Sequence, residues 1–220
     1  MQEKLFVLYY IFLLSGMITG IIRYKRLNPA MRVLAILLCT ISFFEMTTYI
    51  LYKTGHYKIR ATVNHISSVA EIILISRYFL ELIRPVHYAK LIIASYIIWP
   101  VIAMLNAAFL QPVTKLNTNM LVFESFAVIT LCLNSIYTTL KKNIDENIFY
   151  NPHFWISVLW LLLWSSTFFL FAFLKVLYGN KWPYLDVVLT FQVIVNIIVY
   201  SGITAVLFFY PKKTASIEHR

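Results

Sequence analysis

The sequence predicts an all-α, polytopic bundle of seven transmembrane helices, with the N-terminus outside and the C-terminus in the cytoplasm. Hydrophobic residues make up 60% of the 220 and charged residues only 13%, where a soluble domain carries about 25% charge. The mean hydropathy is +0.75. The apolar residues also fall into seven runs, each close to the ~20 residues that a helix needs to cross a bilayer. They are 5–22, 33–52, 66–84, 91–110, 120–140, 154–178 and 187–210.

The first run reads as a retained span rather than a signal peptide. It has no small-x-small cleavage site and is followed by the basic Arg23-Tyr24-Lys25-Arg26. Gly16-x-x-x-Gly20 gives it a small-residue face for close helix packing. Asn28-Pro29 opens the second run and Asn151-Pro152 the sixth, each pairing a capping side chain with proline at the first helical position. Pro183 opens the seventh run in the same manner, and Pro100 should kink the fourth by deleting a backbone bond. The connections are short, so the chain reads as a single transmembrane domain over 1–220 with no soluble module.

Orientation follows from the basic residues, which gather on the cytoplasmic side. The N-out arrangement puts Arg23, Lys25, Arg26, Arg32, Arg84, Lys90, Lys141, Lys142, Lys212, Lys213 and Arg220 inside. It leaves Lys4, Lys53, Lys58, Arg60, Lys115, Lys175 and Lys181 outside. The net charge of +10 is therefore loop charge, not a nucleic-acid stripe. Cys39 and Cys132 lie singly in apolar runs and form neither a disulfide framework nor a zinc site.

Ionisable side chains inside a bilayer are expensive and mark candidate sites. Arg77, Glu81 and Arg84, spaced i, i+4, i+7, read as a structural ion-pair ladder on one helix face. Glu45, Glu71 and Glu124 come from three different runs. At ~1.5 Å per residue they fall about 10 Å, and about 6 to 8 Å for the last two, below the outer boundary. Polar stripes run beside them: Ser42, Thr48, Tyr49 and Tyr52; Asn64, Ser67, Ser68 and Tyr78; Asn117, Ser135 and Thr138. Asn106, Gln192 and Asn196 add amides, and His65 lies near the mouth. On the sixth run, Trp160, Trp164, Phe168 and Phe171 repeat at helical spacing and end in Lys175, a candidate counter-charge.

Together Glu45, His65, Glu71, Asn106, Glu124, Trp164, Lys175, Gln192 and Asn196 are the expected ligand-binding set, an outward-opening polar pocket. The competing reading makes each glutamate protonated or hydrogen-bonded glue between helices. No pair of them shares a recognised metal-ligand spacing, and no phosphate loop or nucleophile elbow occurs. No metal is expected, and the residues name no cofactor. Three functional classes stay open. The first is a sensor or accessory signalling protein acting on a separate cytoplasmic effector. The second is a transporter or channel for a small solute or ion, and the third an intramembrane lipid-modifying enzyme. The expected partners are the bilayer (a plasma or inner membrane), a small ligand or ion and the effector, with oligomerisation open and nucleic acid excluded.

Overall fold

The computed structural model describes residues 2–83, 87–142, 148–179 and 185–210. For Gln2, Glu3, Tyr88, Lys142, 174–179 and Leu185 it describes the backbone only. The described residues form long helices: α1 Gln2–Arg23, α2 Pro29–Lys53, α3 Tyr57–Ile83, α4 Tyr88–Leu105, α5 Thr118–Lys142, α6 Pro152–Gly179 and α7 Leu185–Phe209. No strand occurs among them. Six helices (all but α3) contain a stretch long and apolar enough to cross a membrane, and the chain is of integral-membrane type.

The helix starts follow from local chemistry. Asn28 caps α2, its Oδ1 accepting from the Met31 amide at 2.9 Å, with Pro29 at the first helical position. Asn151 accepts from the His153 amide at 2.9 Å and opens α6 in the same way. Pro183 and Arg84 lie outside the described residues. Pro100 sits within α4, whose ordinary geometry ends at Leu105 and passes into a π-helical turn, Asn106–Leu110. At the far end of α7 the Arg23 guanidinium donates to the backbone carbonyls of Leu207 (2.7 Å), Phe208 and Tyr210. Those carbonyls have no partner within the helix, so a cation reaching across from α1 completes α7.

Six helices close into a ring in the order α1, α2, α3, α5, α6, α7 and back to α1. The fourth helix stands outside it, packed mainly on α3, where Trp99 Nε1 donates to Ser76 Oγ at 3.0 Å. The ring members and the six apolar helices are therefore different sets. Helix α3 belongs to the ring although its sequence is too polar for an apolar span. It has apolar neighbours on both sides and turns Arg60, Asn64, Ser67, Ser68 and Glu71 into the ring. Helix α4 is strongly apolar because most of its side chains, Ile93, Ile97, Met104 and Leu105 among them, are exposed on the outer surface.

The small-residue face of α1 packs within the chain. A Cβ added at Gly20 would lie 3.0 Å from Ala35 Cβ and 3.3 Å from Ala35 Cα on α2; one added at Gly16 would lie 2.9 Å from Thr204 Oγ1 on α7. Gly20→Ala should therefore lower the thermal stability of the detergent-purified protein. The overpacking cost of about 1–3 kcal/mol outweighs the ~1 kcal/mol gain in helix propensity. Ala35→Gly in the same chain should restore part of the loss. Equal melting temperatures for the native chain and Gly20→Ala would show that α1 and α2 are not in contact there.

Candidate functional site

A cavity of about 340 Å³ lies inside the ring, and every ring helix contributes to its wall. Helix α1 supplies Tyr9, α2 supplies Ile41 and Glu45, and α3 supplies Arg60, Asn64, Ser67, Ser68 and Glu71. The segment before α5 supplies Asn117, α6 supplies Trp160, Trp164 and Thr167, and α7 supplies Gln192, Asn196 and Tyr200. The cavity occupies the half of the bundle that holds the start of α1 and the α2–α3 and α4–α5 connections. Towards the other half it ends at Leu37, Ile75 and Trp160. Beneath these, Leu34, Tyr78, Phe79 and Ile156 are fully buried.

The carboxyl groups sit in a file. Glu45 has the Tyr9 hydroxyl as a neighbour and the Arg60 guanidinium as its nearby cation. Glu71 is the electrostatic neighbour of Glu45, and Glu124 of Glu71. Arg60 is itself stacked against Tyr52, 5.1 Å from the ring centroid. Glu124 is fully buried, and neither of its oxygens has a hydrogen-bond partner among the described residues. Asn117, 1% exposed, donates from Nδ2 to Ser68 Oγ at 3.2 Å, while its Oδ1 is unpartnered. The wall therefore offers carboxyl and amide acceptors beside aromatic faces.

Of the residues expected at a pocket, the cavity brings together Glu45, Glu71, Trp164, Gln192 and Asn196. Glu124 stands next to Glu71 but is not part of the lining. Glu71 lies deeper than its sequence placement implied. Helix α3 begins at Tyr57, so Glu71 is about 21 Å along it at ~1.5 Å per residue. The polar first turns, with Lys58, Arg60 and Asn64, read as connection in the sequence.

His65 is not in the wall. Its Nε2 lies 3.1 Å from the Lys115 carbonyl and ties α3 to the segment that carries Asn117. Asn106 is buried in the π-helical turn at the end of α4, outside the ring, and its amide is unpartnered among the described residues. The Lys175 side chain lies outside the described residues. Phe168 faces a lateral groove between the α4–α5 segment, α5 and α6 instead of the cavity. Arg77 and Glu81 pair at 2.5 Å, on a helix turn below the cavity.

Tyr9, Arg60 and Tyr200 escaped the sequence reading as site residues. Tyr200 had a signal: it follows Gln192 and Asn196 at i+8 and i+4, on one face of α7. Tyr9 had none, since tyrosine near a helix end equally marks a membrane interface.

A second polar cluster closes the opposite end. Tyr78 Oη and His153 Nδ1 are 2.9 Å apart, and Asn28 Nδ2 lies 3.2 Å from His153 Nε2. Because the Asn28 oxygen is committed to capping α2, its amide nitrogen donates to Nε2 and the His153 proton sits on Nδ1, facing Tyr78. One imidazole thus joins α2, α3 and α6. No known protein family, curated protein or solved structure matches the chain.

Glu124 gives a stability test. Replacing an unpartnered buried carboxyl by an apolar side chain of similar length removes a desolvation cost of about 1–3 kcal/mol. Glu124→Met should raise the melting temperature. Glu124→Ala, which leaves a void, should lower it. A fall in both variants would mean that Glu124 has a structural partner.

Proposed function

We propose that the chain is a membrane sensor: seven helices span the bilayer with the N-terminus outside and the C-terminus in the cytoplasm. In this reading a small ligand enters the ring cavity from the outer side, and its occupancy is passed to a separate cytoplasmic effector. One observation carries the reading. The cavity is polar and fed by all six ring helices, yet it ends on a packed apolar floor at Trp160 and Ile75. A solute path would have to continue past Tyr78 towards Arg77, where the side chains are fully buried or paired. A ligand held above such a floor can change how the helices pack but has no way through.

Helix α3 counts as the seventh span in this proposal. Its charges Glu71 and Arg60 line the ring cavity, and Glu81 pairs with Arg77. The orientation rests on the basic clusters around Arg23–Arg26 and Lys141–Lys142. Transport is the second reading, favoured by the file of carboxyls, which suits proton or cation movement.

Thiol accessibility separates the two in a chain lacking Cys39 and Cys132. A cysteine at Asn64 should react with an impermeant maleimide from the outer face alone. A carrier that alternates its access would expose the same position from both faces, and labelling from both would overturn the sensor reading. Cysteines at positions 2 and 216 should label from opposite faces, with 216 reached from the cytoplasm. Labelling of both from one face would remove the seven-span topology.

A further inference from the structure

We infer that the ligand of the ring cavity is a small organic cation bearing a primary ammonium group. The inference rests on the ligand-binding reading above and names the chemical class that the wall would take.

The first observation is charge. Glu45 and Glu71 both line the cavity, with Glu124 buried behind Glu71. The single cation among the described lining residues is Arg60, which stands by Glu45 at the connection end of the cavity. Glu71 therefore lacks a described cation of its own, although it sits near the middle of the bundle. An ionised carboxylate in such a place is costly unless a positive charge accompanies it.

The second observation is an acceptor without a donor. Asn117 lines the same cavity; its Nδ2 donates to Ser68 and its buried Oδ1 has no partner among the described residues. An ammonium supplies three donors and no acceptor, which fits a wall presenting the acceptors of Glu71 and Glu45. An anion would meet the same groups as repulsion.

The third observation is the aromatic surface. Tyr9, Trp160, Trp164, Phe171 and Tyr200 contribute aromatic rings to the wall, and aromatic faces attract cations and accept apolar surface. An alkyl or aryl ammonium uses both halves of the cavity. A bare metal ion uses neither the aromatic surface nor a ligand cage, since no three of the described His, Cys, Asp and Glu side chains converge for coordination.

The test uses the full-length protein in zwitterionic nanodiscs and isothermal titration calorimetry with four probes of one shape. These are 2-phenylethylammonium, its N,N,N-trimethyl analogue, 2-phenylethanol and 3-phenylpropionate. The ammonium should bind, and the alcohol and the trimethyl analogue should bind about tenfold or more weakly, as expected for loss of charge-assisted hydrogen bonds. Glu71→Gln should weaken the ammonium by a similar factor and leave the alcohol unchanged. The comparison among probes needs no variant, so it survives a misfolded Glu71→Gln. Tighter binding of the alcohol or the carboxylate would overturn the ammonium class while leaving the cavity a binding site. Silence from all four probes would also overturn it. Failure of the sensor reading itself shows separately, in the labelling at Asn64.

Discussion

The structure depends on one constraint: inside a hydrocarbon layer no water is on hand to satisfy a polar group, so the protein must do it. The hydroxyls obey it locally. Ser15 donates to the Phe12 carbonyl at 2.8 Å, Thr47 to Phe43 at 2.8 Å, Thr130 to Phe126 at 2.9 Å and Ser166 to Leu163 at 2.7 Å. A hydroxyl bonded back to its own helix is satisfied without a second helix and marks no site. Larger polar groups need a second helix. Gln192 donates to Thr167 at 3.0 Å across α7 and α6, and Ser135 meets Ser157 at 3.0 Å across α5 and α6. His153 and Arg23 complete the same accounting at the end opposite the cavity. Of the eight unpartnered buried atoms among the described residues, four (Arg60 Nε, Asn117 Oδ1 and both oxygens of Glu124) lie in or beside the cavity, while those of Arg32, Ser42 and Asn106 do not line it.

The same constraint sorts the helices. A helix with two ring neighbours can carry Arg60, Asn64 and Glu71 on its inner side and still meet lipid only through its apolar face. Helix α3 carries these residues towards the cavity, and its charged residues keep it out of the set of apolar spans. Helix α4 has one main neighbour, exposes most of its surface, and has become almost wholly apolar. For α3 and α4, hydropathy follows exposure to lipid and runs opposite to contact with the cavity.

This explains what could be read from the sequence. The starts of α2 and α6 were legible because Asn-Pro states both a cap and a fixed backbone angle. The glutamates were legible as inward-facing because a carboxylate cannot be left against lipid, and Glu45 and Glu71 do line one cavity. The start of α3 was not legible, since Lys58 and Arg60 look like loop charge until Tyr52 and Glu45 are seen beside the guanidinium. Thr48 lay on the right stripe for the wrong reason, its hydroxyl donating to the Glu45 carbonyl at 3.0 Å. His65 looked like a ligand group and instead anchors the segment before α5. Side chains that serve equally in packing, capping and binding carry no periodic signature to separate those uses.

Anchoring of that segment also bears on how occupancy could be felt elsewhere. Asn117 belongs to a connection stitched to α3 by His65 on Lys115 and closed on itself by Gln111, which donates to Thr118 Oγ1 at 2.9 Å. A ligand engaging the cavity wall at Glu71 and Asn117 would bear on α3 and on the entrance to α5 at once. At the other end of α3, Tyr78 is joined through His153 to the caps of α2 and α6. A shift of α3 along or about its axis must therefore either carry His153 with it or break the Tyr78 contact, because a hydrogen bond at 2.9 Å tolerates little displacement. On the proposed reading, that rigid link between cavity and opposite end is the element a ligand would bias. On the same reading, the packed floor between them would convert binding into helix movement instead of passage.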